Sequence, residues 1–313
     1  MRNLAGRWKS AAVKIGTTLF VMWGAVTLVF LLVRLAPGDT AVALLGPTAS
    51  AEQLAMLRTR LGLDQPLLSQ YFIYIRDLVS GDLGYSYRLG RPALDAVAAS
   101  IGPTLALTAS AMLIAVAVGI PLGLVAGARQ GSVADRILSF LMLVAKSVPN
   151  FWLGIMLILL FARWLRLLPS FGAETPMHLI LPAVTLALPV IAVVGRVMRS
   201  SVAEMQSEPF ILAARAKGLT EAEVQRFHVT PNSLLPVVTV IGLQLGTLIG
   251  GAVIVESVFS WPGIGQLLVQ SVSARDYLVV QAIAVTVALF VVVINLLTDA
   301  LYVRLDPRIR VSK

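Results

Sequence analysis

The chain has 313 residues, 58% of them hydrophobic and 13% charged, with a mean hydropathy of +0.86. A soluble domain averages about 25% charged residues, so these figures exclude a single water-bathed globule and point to a membrane protein. The net charge of +9 clusters beside apolar runs, the pattern of membrane topology rather than of nucleic-acid binding, and the absence of cysteine excludes disulfides and thiolate metal sites.

The basic start MRNLAGRWKSAAVK leads into the uncharged stretch Ile15–Val33, 19 residues long. That exceeds a signal-peptide core of about 7–15 residues and suffices for a hydrocarbon layer about 30 Å thick. It is read as an uncleaved first span. Six apolar segments follow the same logic, at 12–35, 101–127, 137–162, 178–198, 234–256 and 278–302. Lipid offers no partner to backbone N–H and C=O groups, so each is expected to be helical, giving an all-α protein with six transmembrane helices.

Six crossings put both termini on one side. Arg2, Arg7, Lys9 and Lys14, then Arg129, Arg136, Arg196, Arg199, Arg215, Lys217, Arg226, Arg304, Arg308, Arg310 and Lys313 all fall on that side. The two short loops opposite hold only Arg163, Arg166 and Arg275. Positive residues mark the cytoplasm, so both termini are expected there. The expected organisation is 1–35 for the N-terminus and first span and 36–100 for an external cap. A five-helix core occupies 101–302, with a cytoplasmic loop at 199–233, and a tail follows at 303–313. The external region is too long for a simple connector. It either packs on the helices or meets a partner.

In the third span, Lys146 and Asn150 flank Ser147-Val148-Pro149, where proline permits a kink. An intramembrane lysine marks a functional position by default. Lys146 either lines a path that accepts a peptide carboxylate or snorkels to the cytoplasmic interface. In the fifth span Gly242, Gly246 and Gly250 recur every four residues, a stripe that lets helices approach closely. Gln244 and Thr247 lie off that stripe and are expected either to face a pathway or to hydrogen-bond between helices.

Between the fourth and fifth spans lies PFILAARAKGLTEAEVQRFHVTPNSLLP, Pro209–Pro236. Ser207 can cap a helix whose first turn holds Pro209, and Arg215 and Lys217 suit its C-terminal dipole. Gly218 supplies positive φ after the helix end, Thr220-Glu221-Ala222-Glu223 is a capping box, and Pro231 is expected to end the second helix. The small residues Ala213, Ala214 and Ala216 let another backbone come close. The hairpin is read as a docking surface for a cytoplasmic protein, with an amphipathic helix on anionic lipid as the alternative. His178 and His228 stand far apart with no ligand partner at metal spacing, so a structural role is expected and no metal or cofactor site.

This segment, with its ARAKGL and HVTPNSLLPVVT, resembles the cytoplasmic loop of ABC importer permeases of the dipeptide, oligopeptide and nickel branch. LAPGD (35–39), LGLDQP (61–66), GDLGYS (81–86), SVPNFWLG (147–154), ESVFSWPGIGQL (256–267) and LDPRIR (305–310) resemble the same branch, in order. The family's loop signature often carries a glutamate where this chain has Leu212. The resemblance implies the first of two homologous permeases, here of a bacterial inner membrane. It also implies one or two cytoplasmic ATPases that bind ATP and magnesium, and an external solute-binding protein. The hairpin would then couple the ATPases to the helices through Ala213, Ala214, Arg215, Lys217 and Gly218. Gln244, Thr247, Asn150 and Lys146 would line the path. Di- or oligopeptides are the expected cargo, with glutathione or nickel chelates as alternatives. The chain lacks a GxxxxGK[ST] phosphate loop, which places the motor on another polypeptide and makes this chain no enzyme. An ion-coupled transporter would show intramembrane carboxylates, and here Glu256 and Asp299 sit near span ends. An intramembrane protease would show Ser–His or paired aspartates at one depth, and none is evident.

Overall fold

The computed structural model of the chain describes residues 2–35, 41–42, 49–60 and 62–305. Most of LAPGD, the first residue of LGLDQP, and all of LDPRIR but its leucine, with the tail from 306, lie outside the described residues. The described chain is overwhelmingly helical. The elements are α1 (Arg2–Leu35), α2 (Ala51–Arg60), α3 (Leu67–Val79), β1 (Tyr85–Ser86), β2 (Arg91–Pro92), α4 (Ala93–Ala128), α5 (Val133–Ser147) and α6 (Asn150–Leu157). After these come α7 (Ile180–Gln206), α8 (Pro209–Ala216), α9 (Glu221–Glu223), α10 (Thr230–Phe259), α11 (Ile264–Ser273) and α12 (Tyr277–Leu305). Among the described residues, five helical stretches are long and apolar enough to cross a membrane, and six if the bent pair α5–α6 is one span.

The segment expected as one span over 137–162 is two helices meeting at 100°. Pro149 has no N–H to give, and Val148 before it takes the extended backbone that proline imposes on its predecessor (φ −75°, ψ 125°). The second arm then widens into a π-helical turn, Ile158–Trp164. Pro231, expected to end a helix, does not. A π-helical turn at Val224–Val229 joins α9 to α10, and Pro231 sits in the first turn of α10, where a missing N–H is tolerated. Ser207 is likewise not the N-cap of α8. Its hydroxyl donates to the Glu204 carbonyl at 2.7 Å and closes α7, while Glu208 takes the cap position.

The chain packs as two units, 1–102 with 267–293 and 103–266 with 294–313. In the first, the Thr27 and Tyr71 hydroxyls join α1 to α3 at 2.7 Å, and buried Phe30 stacks on Tyr74. The β1–β2 ladder pairs Tyr85 with Pro92 and Ser86 with Arg91. It buries Ser86 against Asp276, whose carbonyl accepts the Val280 N–H at the start of α12.

In the second unit α7 is the central helix, with Leu186, Val190, Val194, Met198 and Val202 all buried in one apolar cluster with Leu107, Leu248, Val255 and Phe259. The expected glycine stripe makes a close contact within this chain at Gly242 alone of its three positions. A Cβ on Gly246 or Gly250 would meet nothing within 4 Å, although one on Gly242 would collide with Thr298. Instead Gly119, Gly123 and Gly127 of α4 face α7. A Cβ at Gly123 would lie 2.6 Å from the Met198 Cβ, and one at Gly127 2.7 Å from the Arg199 carbonyl oxygen. Without side chains there, the two backbones pack in direct contact.

Candidate functional site

The hairpin after α7 is built by local rules. Pro209 opens α8, which ends at Ala216, and Gly218 turns the chain at φ +87°. The Glu223 carboxylate accepts the Thr220 N–H at 2.8 Å, and the Glu223 N–H returns to the Thr220 hydroxyl. The Arg215 guanidinium forks onto the Glu221 carboxylate at 2.7 and 3.2 Å, bridging the two limbs. Both side chains meet water, so the fork sets the angle of the turn more than it stabilises the fold.

One face of this hairpin is sealed into the bundle. Ile211 and Val229 are fully buried, Val224 nearly so, and Ala214 is 8% exposed. The other face is open: Phe210, Leu212, Ala213, Lys217 and Gly218 are exposed, as is Phe227, over which the Arg226 guanidinium lies at 5.4 Å. The five residues read as coupling positions therefore divide. Ala213, Lys217 and Gly218 face outward, Arg215 is half-buried in its ion pair, and Ala214 points inward and anchors the helix.

The four residues read as lining a pathway are carried on three helices, α5, α6 and α10. Lys146 is exposed in the last turn of α5, beside the bend, where Leu143, Val144, Ser147, Pro149, Phe151 and Trp152 line a cleft of about 510 Å³. Asn150 opens the other arm, its amide nitrogen near Gly251 of α10. On α10, Gln244 is half-buried and Thr247 exposed. His178 has a structural role. Its Nδ1 lies 2.9 Å from the Thr175 hydroxyl and its Nε2 2.8 Å from Glu174, closing the turn before α7.

Two buried carboxylates stand out: Asp135, which the sequence did not single out, and Glu256, read from sequence only as a carboxylate near a span end. Asp135 at the start of α5 accepts the Arg199 guanidinium of α7 in a two-pronged contact, Nη2 at 2.8 Å, together with the Gly131 N–H at 2.9 Å. Glu256 near the end of α10 is fully buried. It accepts the Thr104 hydroxyl at 2.7 Å on one oxygen, and the Gly265 and Gln266 N–H groups at 2.7 and 3.2 Å on the other. Those two amides belong to the first turn of α11, where a carboxylate meets donors the helix cannot use. Gly263 is required, since a Cβ there would collide with the carboxylate. Ser260 takes a left-handed turn at φ 50°, and the Trp261 indole donates to the Pro103 carbonyl at 2.9 Å. The glycines and tryptophan of SWPGIGQ were the sequence signal for this knot.

Comparison with known proteins identifies the family. The family model "Binding-protein-dependent transport system inner membrane component" matches residues 119–311. A second, "Binding-prot-dependent transport system membrane comp, N-term", matches residues 7–108. The glutathione transport system permease protein GsiC of Escherichia coli K12 is 43% identical over 293 residues, 94% of this chain and 95% of that one. The protein of the same name from Salmonella choleraesuis is 43% identical over 283 residues, covering 90% and 92%. Among solved structures, the inward-facing MetNI methionine ABC transporter superposes with a TM-score of 0.54 at 19% identity. That match covers 67% of this chain and 96% of that one. An amino acid ABC transporter with histidines gives 0.53 at 19%, covering 67% and 94%. At that identity the likeness is one of fold.

Proposed function

The chain belongs to the family of binding-protein-dependent transport system inner membrane components, and on that premise we propose that it admits short peptides, glutathione among them, to the cytoplasm. It is a multi-pass permease subunit of an ABC importer. The motor is separate: ATPase subunits holding ATP and magnesium dock on the outward face of the α8 hairpin. A second homologous permease completes the pathway, and an external binding protein delivers the cargo. Both termini lie in the cytoplasm. Ala213, Lys217 and Gly218 meet the ATPase, and Lys146, Asn150, Gln244 and Thr247 line the path.

The observation that carries the coupling reading is the two-faced hairpin. Ile211, Ala214, Val224 and Val229 fix it to the bundle, while Phe210, Leu212 and Ala213 leave an apolar surface facing away. Such a surface, edged by Lys217, fits a folded protein better than water. The cargo reading draws on relatives named as glutathione permeases, glutathione being a tripeptide. The test is to purify the assembled complex, reconstitute it in proteoliposomes, and add the binding protein with reduced glutathione, dipeptides or a nickel–histidine chelate in turn. Hydrolysis and uptake stimulated by glutathione or short peptides are expected. Stimulation by the nickel chelate alone would reassign the cargo.

A further inference from the structure

Arg199 is the residue at which three helices meet. Its carbonyl oxygen lies against Gly127 of α4, its backbone belongs to α7, and its guanidinium is seated on Asp135 of α5. The Asp135 side chain is 3% exposed and that of Arg199 30%, so the pair is sheltered at one end only. Asp135 also receives the Gly131 N–H of the turn after α4 and the Ser139 hydroxyl, at 2.9 and 3.2 Å. The turn after α4, α5 and α7 are therefore fastened through one carboxylate.

The position matters more than the strength. From Arg199, α7 runs seven residues to Gln206, about 10 Å at 1.5 Å per residue, and only Ser207 and Glu208 separate it from the docking helix α8. From Asp135, α5 runs unbroken to Ser147 and ends at the 100° bend beside Lys146. The ion pair thus joins the helix that leads to the hairpin with the helix that leads to the bend. Apolar packing also joins these helices, with Leu107 of α4 in the α7 cluster and Met142 of α5 against Gly195 of α7, but the ion pair is a directional tie one turn closer to the hairpin.

We propose that Asp135 and Arg199 are positioning residues that form a transmission strut, carrying hairpin displacement through α7 and α5 to the bend at Val148–Pro149. The strut rests on the coupling reading above. Its loss separates hydrolysis from movement of cargo without abolishing either partner's binding.

The test uses the complete complex in proteoliposomes, with labelled reduced glutathione as the probe, and reads ATP hydrolysed per solute imported. In Asp135→Asn and Arg199→Gln the ratio is expected to rise at least about tenfold, within the range of coupling between linked sites, with hydrolysis nearly unchanged. Arg199→Lys, which keeps the charge but not the fork, falls between. The chain has no cysteine, so Asp135→Cys with Arg199→Cys can be joined by a short bis-thiosulfonate linker. Joining restores the ratio and reduction abolishes it within one folded population. A spin label at Leu143→Cys provides a readout independent of cargo: its nucleotide-dependent mobility change is expected to vanish in Asp135→Asn. Assembled variants with the wild-type ratio and mobility change overturn the strut. Variants that all fail to assemble overturn it too, leaving the pair purely architectural. A wild-type complex with no ATP-driven response overturns the coupling reading instead, and the strut with it.

Discussion

The Glu256 carboxylate holds three donors in the interior of the bundle: the Thr104 hydroxyl, whose oxygen in turn accepts the Ile264 N–H, and the amides of Gly265 and Gln266. Glu256→Ala strands all three and opens a cavity. The expected loss is about 2–5 kcal/mol, since each orphaned buried donor costs about 1–3 kcal/mol and relaxation recovers part of it. Glu256→Gln keeps a carbonyl oxygen for the two amides and offers an amide to Thr104, so about 1 kcal/mol is expected. Thermal unfolding of the purified chain in detergent separates the two, and equal losses would mean that charge rather than hydrogen bonding sets the geometry. The glycines give a second contrast at this scale. Gly123→Ala presses a methyl group onto the Gly195 and Met198 backbone region, which cannot yield, and is expected to destabilise by about 1–3 kcal/mol. Gly246→Ala and Gly250→Ala enter open space and are expected to be neutral or to stabilise by about 0.5–1 kcal/mol through helix propensity. Both stripes have the same spacing in sequence. Periodicity places residues on one face but does not say which helix lies opposite, so it could not show that the close backbone contact within this chain falls at Gly119, Gly123 and Gly127.

At the level of elements, adjacent alanines of α8 make the sharpest test. Ala213 is exposed and Ala214 buried, so a bulky side chain at each reports on a different property. Ala213→Trp is expected to leave the melting temperature of the chain unchanged and to weaken retention of the ATPase by tenfold or more, about 1.4 kcal/mol at least. Ala214→Trp overpacks the buried face of the hairpin and is expected to lower stability by about 1–3 kcal/mol before any partner is added. If Ala213→Trp retains the ATPase fully, the outward face is not where it docks. The boundaries of this hairpin were legible in sequence because they rest on local chemistry: proline in a first turn, glycine at positive φ, threonine paired with glutamate three residues on. Its inward and outward faces were not legible, because eight residues of α8 give barely two turns of pattern. The continuity through Pro231 was hidden for another reason. A π-helical turn shifts the hydrogen-bond register and lets the chain pass a proline that an α-helical reading treats as a stop.

For the whole molecule, the apolar segments were legible because lipid imposes helix on every span, and length alone counts them. The ties between them were not. Asp135 and Arg199 stand 64 positions apart, Thr104 and Glu256 152 apart, and no local pattern announces either pair. The bend leaves one feature of the topology that parity can decide. If α5 and α6 together cross the membrane, six crossings place the 165–175 segment outside and the hairpin inside. If the pair returns to the side it entered from, 165–175 and the hairpin exchange sides relative to the 129–132 turn. A chain without cysteine has no background for thiol labelling. Tyr87→Cys, Glu174→Cys and Ala213→Cys, all at exposed positions, can each be treated with a membrane-impermeant maleimide in intact spheroplasts. Labelling at 87 and 174 is expected at once, and at 213 only after the membrane is opened. Protection at 174 with labelling at 213 would make the bent pair re-entrant. The hairpin would then face away from the compartment that supplies ATP, and it could not be the surface on which a motor pulls.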